Sequence, residues 1–251
     1  MEEKREKEES RLIYGRNAVM EALLSENQID TVYVQKGAGG LGKLIGAAKD
    51  KGAVIKEVSE EKLSSMAEGK HGGVAALLAA GEYASVEDIL AVSEQKGKPP
   101  FIIIADGIQD PHNLGAIIRT AEAAGADGVI IPKRRSVGLT PVVFKTSAGA
   151  ASWVKVARVS NLTATINQLK EKNIWVYGAE ADGEPFHKAN LSGGVALVIG
   201  SEGQGLSRLV RESCDGILSI DMYGSINSLN ASVSAGILMY QVVSFRRNQE
   251  G

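Results

Sequence analysis

Three segments of the chain bring together residue types able to hold and activate a ligand. The first is Asp106 to Arg119, DGIQDPHNLGAIIR. Asp110-Pro111 is a turn signal. Asn113 then stands where a helix N-cap belongs, and Arg119 follows two turns on, toward the cleft side. A polar cap, a small Gly115 and a long cation can line one cleft; a capped helix with a solvated arginine accounts for the same spacing. The second segment is Val198 to Ser207, VIGSEGQGLS, an apolar run ending in a turn that holds Gly200, Gly203 and Gly205. Glycines let backbone N–H groups approach a ligand closely. The pattern is neither GxGxxG nor a Walker A loop, since no Gly-Lys-Ser/Thr follows. Glu202 inside the turn would repel phosphate, which argues against a nucleotide-phosphate cradle. The third segment is Ile217 to Tyr240, with Gly224, Ser225, Asn227, Ser228 and Asn230 between a strand end at Asp221 and a long Ala/Ser/Gly-rich helix. Helix capping and a small-residue packing face would explain it equally well.

Basic residues add a fourth feature. Lys133, Arg134 and Arg135 form the densest cluster, with Lys145 close by in sequence. They follow a strand end and read as phosphate contacts; a solvated loop is the plain alternative. Arg16 is a weaker candidate of the same kind. His112 reads as a turn residue, His71 and His187 as structural or exposed, and Cys214 as a packed small hydrophobe. Trp153 and Trp175 lie in strand contexts and are expected in the core.

These residues need elements to position them. Residues 12–25 place apolar side chains at helical spacing, followed by a strand at Thr31 to Gln35 and a helix at Leu41 to Lys51. A strand at Ala53 to Val58, a helix at Glu60 to Met66 and a strand at Val74 to Ala79 complete a small α/β unit. The stretch 81–98 holds one helix pattern, ends in a Lys-rich Pro-Pro turn, and marks a boundary. Beyond it, FIIIAD (101–106) reads as a buried parallel strand. A helix from about Leu114 to Ala124 follows, then GVIIP, WVKVARV, the helix NLTATINQLKEK and the strands IWVYGA, VALVIG and GILSID. A closing helix runs from about Leu229 to Phe245. Strands separated by helices predict a mostly parallel sheet with helices on both faces. Ligands bind such sheets outside the carboxyl ends of the strands, where the three segments fall. The expected division is a solvated tail at 1–10, a front α/β domain at 11–80, a linker at 81–98 and a larger α/β domain at 99–251.

Composition bounds the chemistry. The 251 residues carry a net charge of -2, so nucleic-acid affinity must come from local patches. Aromatics make up 5%, too few for many base-stacking platforms. One cysteine permits no intrachain disulfide and no Cys-based metal site. With no long apolar run and no hydrophobic leader at the N-terminus, a cytoplasmic protein is expected.

The three segments together are more specific than any one. NxGxxxR after the first large-domain strand, GSEGxGLS after a later one, and a final ID…SLNAS helix resemble, in order and spacing, the signature motifs of SpoU/TrmH RNA 2'-O-methyltransferases. The YGRNAV start and HGGVAA strand resemble the front RNA-binding domain of the bacterial ribosomal RNA members, so the likeness runs from about Leu12 to Arg246. One departure is Gly72, where many relatives carry Gln. The resemblance implies a SPOUT-like catalytic domain with a trefoil knot, a feature that chain-threading rules would not anticipate. It implies S-adenosylmethionine as cofactor, held around Gly200, Ile220 and Leu229. It implies Arg119 as the catalytic arginine, with Asn113, Glu202, Ser228 and Asn230 orienting it, the ribose and the loop. It further implies a homodimer through the catalytic domain, no metal, and 23S ribosomal RNA, at a guanosine, as substrate. The alternatives are a transfer RNA substrate or a non-catalytic RNA-binding assembly factor. A dinucleotide oxidoreductase is disfavoured, because DGIQDPHNLG stands where GxGxxG would be needed.

Overall fold

The computed structural model describes residues 12–25, 28–67 and 69–249; the tail expected at 1–10 lies outside them. The chain divides into two compact units. One comprises the residues up to Glu82 with Gly138–Pro141, the other Tyr83–Val137 and Val142 onward.

The first unit contains β1 (Leu12–Tyr14), α1 (Arg16–Leu24), β2 (Ile29–Gln35), α2 (Gly42–Asp50), β3 (Val54–Val58), α3 (Glu60–Met66) and β4 (Val74–Leu78). Its sheet runs β1-β4-β2-β3. β2 and β3 are parallel, and β4 is antiparallel to both its neighbours. Val19, Leu23, Val32, Leu44 and Val74 fill the core between helices and sheet. The helix expected over 12–25 is split. Leu12–Tyr14 pair with Leu77–Ala75 of β4, and Gly15, at φ 94, turns the chain before the helix starts at Arg16. Cross-strand pairing overrides the helical period there, because three residues are too few to show a period of their own.

The second unit contains α4 (Val86–Lys96), β5 (Phe101–Asp106), α5 (Pro111–Ala123), β6 (Gly128–Pro132), α6 (Pro141–Thr146, its first residue assigned to the first unit), β7 (Lys155–Val159), α7 (Leu162–Glu171), β8 (Ile174–Pro185), β9 (Gly194–Gly200), α8 (Arg208–Ser213), β10 (Gly216–Ser219) and α9 (Ala231–Gln249). Its six strands are all parallel, in the order β10-β8-β9-β5-β6-β7. All six residues of β5 are buried, as expected for a strand covered on both faces.

The stretch 81–98, expected as a linker, is largely α4. Ser85 and Asp88 form a capping box at its start and Gly97, at φ 61, closes it. Ile89 and Leu90 are buried in the second unit's core with Ile102, Ile104 and Ile130. Ile89 leaves no room for a side chain at Gly128, where a Cβ would lie 2.5 Å from its Cγ1. Apolar burial, invisible in a local composition, makes this segment part of the domain.

The two tryptophans differ from expectation. Trp153 is 82% exposed, ending a 3-10 turn (Ala150–Ser152) ahead of β7, and Trp175 is 55% exposed. Trp175 alternates with buried Ile174 and Val176 along β8, so it points to the other face. Among the described residues, no helix is long and apolar enough to cross a membrane, and no His/Cys/Asp/Glu group could hold a metal.

Candidate active site

The carboxyl ends of β9 and β10 and residues 179–182 of β8 line one cleft. The carboxyl end of β5 lies beside that of β9, with Asp106 paired to Gly200, and α5 begins just beyond it. Its N-cap is Asp110, whose carboxylate accepts the His112 N–H at 2.9 Å, with Pro111 in the first turn. Asn113 is therefore not the cap. It lies inside the helix, 7% exposed, with its side chain free for other partners. Its Nδ2 donates to Glu202 Oε1 at 2.9 Å, and its Oδ1 accepts from Asn230 Nδ2 at 3.0 Å. Asn230 Nδ2 also donates to Glu202 Oε1. Asn230 Oδ1 meanwhile accepts the Ser232 N–H at 2.9 Å and the Ser232 hydroxyl at 2.6 Å, at the start of α9. Residues from all three sequence segments thus meet in one hydrogen-bonded cluster.

Glu202 is carried on a tight turn. Ser201 and Gly205 exchange both backbone hydrogen bonds, at 3.1 and 2.9 Å, and Gly203 and Gly205 take φ 82 and 64. A Cβ on Gly200 would lie 2.3 Å from the Gly205 carbonyl carbon, so only glycine closes this wall. Two carboxylates clamp the chain just past the turn. Glu180 Oε1 accepts the Leu206 N–H at 3.0 Å, and Asp106 Oδ2 accepts the Ser207 N–H at 2.7 Å. Glu180 also pairs with Arg211 at 2.8 Å, and Arg211 reaches Asp182 at 2.9 Å.

The opposite wall comes from a register jump. β10 pairs Ile217 with Gly178 of β8, then Leu218 with Glu184, so residues 179–183 are skipped in the β10 register. Ala179 to Asp182 turn into the cleft instead. Ser219 Oγ donates to the Gly183 carbonyl at 2.9 Å and fixes the far end of the excursion.

The cleft has a volume of about 900 Å3. Of the residues singled out in the sequence, Gly200, Glu202, Ile220, Ser228, Leu229 and Asn230 line it, and Asn113 is bonded to two of them. Arg119 does not line it. It is exposed, and among the described residues it makes no hydrogen bond or ion pair. Six residues past Asn113, it stands about 120° round the helix and about 9 Å along it. The lining carries Glu180, Asp182 and Glu202 against Arg211, a net negative field that suits a cationic ligand. Glu180, Asp182 and Arg211 were not anticipated; an acidic pair just past a strand end was the only trace in the sequence.

The basic loop lies beside this site. Arg134 and Arg135 are exposed and Lys133 is half-buried. Val137 N–H and Ser136 Oγ both donate to the Ile108 carbonyl, at 2.9 and 3.0 Å. A Cβ on Gly107 would lie 3.6 Å from Ser201 Cβ and 3.8 Å from the Arg135 carbonyl, so the loop and the glycine turn flank the same residue. Lys145 is exposed in the last turn of α6. That helix presses Thr146 on Gly115, whose Cβ would fall 1.9 Å from Thr146 Oγ1. Arg16 belongs to the first unit. Cys214, at the end of α8, has its thiol pushed up to about 12 by burial and then by the Asp215 carboxylate.

A parallel α/β unit of this strand order, with its cleft at the strand ends, follows a small α/β unit along the chain. Residues 100–240 match the model of the SpoU rRNA Methylase family, and residues 12–84 match that of RNA 2'-O ribose methyltransferase substrate binding. YacO of Bacillus subtilis (strain 168), named for the TrmH family of tRNA/rRNA methyltransferases, is 46% identical over 242 residues, covering 95% of this chain and 97% of its own. The SpoU methyltransferase AviRb from Streptomyces viridochromogenes, solved in complex with the cofactor AdoMet, superposes with a TM-score of 0.60 at 22% identity, covering 96% of this chain and 91% of its own. A solved RNA 2'-O ribose methyltransferase superposes with a TM-score of 0.55 at 26% identity, covering 97% and 92%. The chain belongs to the SpoU rRNA methylase family, with a substrate-binding domain in front of its catalytic domain.

Proposed function

We propose that this chain transfers a methyl group from S-adenosylmethionine to a ribose 2'-hydroxyl of RNA, at a guanosine of 23S ribosomal RNA. The observation that carries this reading is the Asn113–Glu202–Asn230 cluster at the edge of a glycine-walled, negatively charged cleft. The cleft fits the cofactor. Its volume lies within the usual range for small-molecule sites of about 300–1,000 Å3. Its acidic lining favours a sulfonium cation and disfavours a phosphate. Gly200, Ile220 and Leu229 would hold the cofactor, with the backbone of the 200–205 turn open to it because Gly200 carries no side chain.

When bound, the cofactor supplies a methyl group made electrophilic by its sulfonium. The 2'-hydroxyl is a weak nucleophile while protonated, so its proton must pass to solvent water as the oxygen takes up the methyl group. Arg119 acts electrostatically, its guanidinium fork gripping the adjacent phosphate and lowering the hydroxyl's pKa. Glu202, held by two amides, keeps the turn and Ser228 in register with the ribose. Lys133, Arg134, Arg135 and Lys145 bind flanking phosphates.

Arg119 stands outside its own chain's cleft. A homodimer through α9 and the neighbouring surface of α5 would set each Arg119 against a second copy. Exposed Val233 and Tyr240 on α9 support that face as the contact. The closing segment, 217–249, is assigned the threading that makes the family's trefoil knot. The shared naming of relatives for transfer and ribosomal RNA leaves a second substrate reading; the front substrate-binding domain favours the larger RNA.

Incubation with methyl-labelled S-adenosylmethionine and separated ribosomal and transfer RNA fractions, followed by nuclease mapping, tests the proposal. Label in a 2'-O-methylguanosine of 23S RNA is expected. Label confined to transfer RNA overturns the substrate, and no label from a chain that binds the cofactor overturns the activity.

A further inference from the structure

Arg16 stands out for what its guanidinium already holds. β2 ends at Gln35, antiparallel β4 begins at Val74, and β1 ends at Tyr14, so the segments 36–41 and 69–73 meet at one edge of the first unit's sheet. Arg16, the first residue of α1, lies between them. Its Nε donates to the Gly72 carbonyl at 2.8 Å and its Nη2 to the Gly39 carbonyl at 2.9 Å. The glycines are fitted around it. A Cβ on Gly40 would lie 3.0 Å from Arg16 Nη1, and one on Gly72 3.3 Å from Arg16 Cγ. Both glycines take positive φ, 76 and 57, which residues with a side chain rarely adopt. The strand-proximal ends of the two segments are tied by other bonds, Gln35 N–H to the Gly73 carbonyl and Lys36 N–H to the Val58 carbonyl, both at 2.9 Å, with His71 Nε2 3.2 Å from the Ser64 hydroxyl; Arg16 holds the outer parts, at Gly39 and Gly72.

The surface so assembled has a definite chemistry. Lys36 and Lys70 are exposed on the two loops, and Lys43 is exposed in the first turn of α2. A Cβ on Gly37 or Gly39 would meet nothing within 4 Å, so the backbone there is open to a partner. Neither segment, KGAGGL nor GKHGG, contains Phe, Tyr or Trp, and the ring of His71 is engaged by the Gly73 N–H and the Ser64 hydroxyl. Lysines and open backbone without stacking platforms suit a phosphate backbone, not unstacked bases.

We propose that Arg16 is a positioning residue: its guanidinium staples the two glycine loops into the surface on which Lys36, Lys43 and Lys70 meet RNA phosphates. The proposal rests on the reading that the front domain binds RNA. It replaces a direct phosphate contact by Arg16, two arms of whose fork are occupied by protein carbonyls. A lysine keeps the charge but lacks the planar fork that spans both carbonyls.

The test uses the full chain, a 23S ribosomal RNA transcript, and fluorescence anisotropy across a salt series. Arg16→Lys is expected to weaken RNA binding about tenfold, the loss of one charged hydrogen bond. Amide exchange should speed up at residues 36–42 and 69–73, with S-adenosylmethionine affinity unchanged. Lys36→Ala and Lys70→Ala should leave exchange unchanged and each lower the slope of log affinity against log salt by about 1. Wild-type RNA affinity in Arg16→Lys overturns the proposal. So does weakened affinity with unchanged exchange, which would make Arg16 a direct contact. A wild-type chain that methylates RNA while Lys36→Ala and Lys70→Ala bind it normally overturns the surface and leaves the activity standing. A wild-type chain that neither binds nor methylates RNA overturns both.

Discussion

Asn230 uses its side-chain amide twice. Its oxygen caps α9 through Ser232, and its nitrogen reaches Asn113 and Glu202. The start of the last helix and the turn that walls the cleft therefore share one residue. Among the described residues Arg119 makes no such bonds, so its removal should leave the cleft intact. Arg119→Ala is expected to lower methyl transfer by at least about 100-fold, on the scale of one lost charge stabiliser, while cofactor affinity measured by calorimetry changes less than about twofold. A comparable loss of affinity would place Arg119 in cofactor binding. Cys214 gives a pH prediction. Its thiol, raised from 9.0 to about 12, holds its proton more tightly folded than unfolded. The stability it contributes is complete below about pH 9 and is lost as pH climbs toward 12. At pH 8 its alkylation by iodoacetamide should be at least about tenfold slower in the native chain than in urea, since only the thiolate reacts. Equal rates would mean that the thiol is not buried in solution. Of the site, the lining residues were legible because glycine, serine and asparagine cluster after strand ends. The true role of Asn113 was not: two cap-forming residues stand three apart, and only the Asp110 bond to His112 decides between them.

α5 and α6 touch where neither has bulk. With its Cβ 1.9 Å from Thr146 Oγ1 and 3.0 Å from the Ser147 backbone nitrogen, alanine at Gly115 cannot be accommodated by a side-chain rotation alone. Gly115→Ala is expected to destabilise the second unit by about 1–3 kcal/mol, lowering its melting temperature by several degrees. An unchanged melting curve would mean that α6 is not held against α5 in solution. At this scale most elements were legible within a few residues. β5 and α3 match their expected bounds, because an unbroken apolar run and a Ser59 cap are local signals. β1 and α4's membership were not legible. The first depends on a partner strand more than sixty residues away, and the second on burial against strands that follow it.

For the whole molecule, the exposed apolar side chains are the main clue to assembly. Val233 and Tyr240 are 49% and 51% exposed on a helix whose other side packs Ala235, Leu238 and Val242 into the unit. On the proposed homodimer, Tyr240→Glu is expected to give a monomer in light scattering where the unaltered chain gives a dimer, with transfer reduced at least about tenfold and cofactor still bound. Such a charge cannot be buried unpaired. A dimer that persists would move the contact elsewhere. Strand order was beyond reach of sequence periodicity, since the placing of β10 beside β8 is a long-range pairing.

The jump between β8 and β10 makes the cleft a matter of chain length. Because side chains alternate along a strand, deleting a single residue between 179 and 183 would reverse the facing of those that follow. It would also draw the Gly183 carbonyl away from Ser219. Substitutions at 179–182 can change what the cleft prefers; an insertion, a deletion, or a side chain at Gly183, whose Cβ would fall 2.5 Å from the Ile217 carbonyl oxygen, changes whether β8 and β10 can enclose a cleft at all.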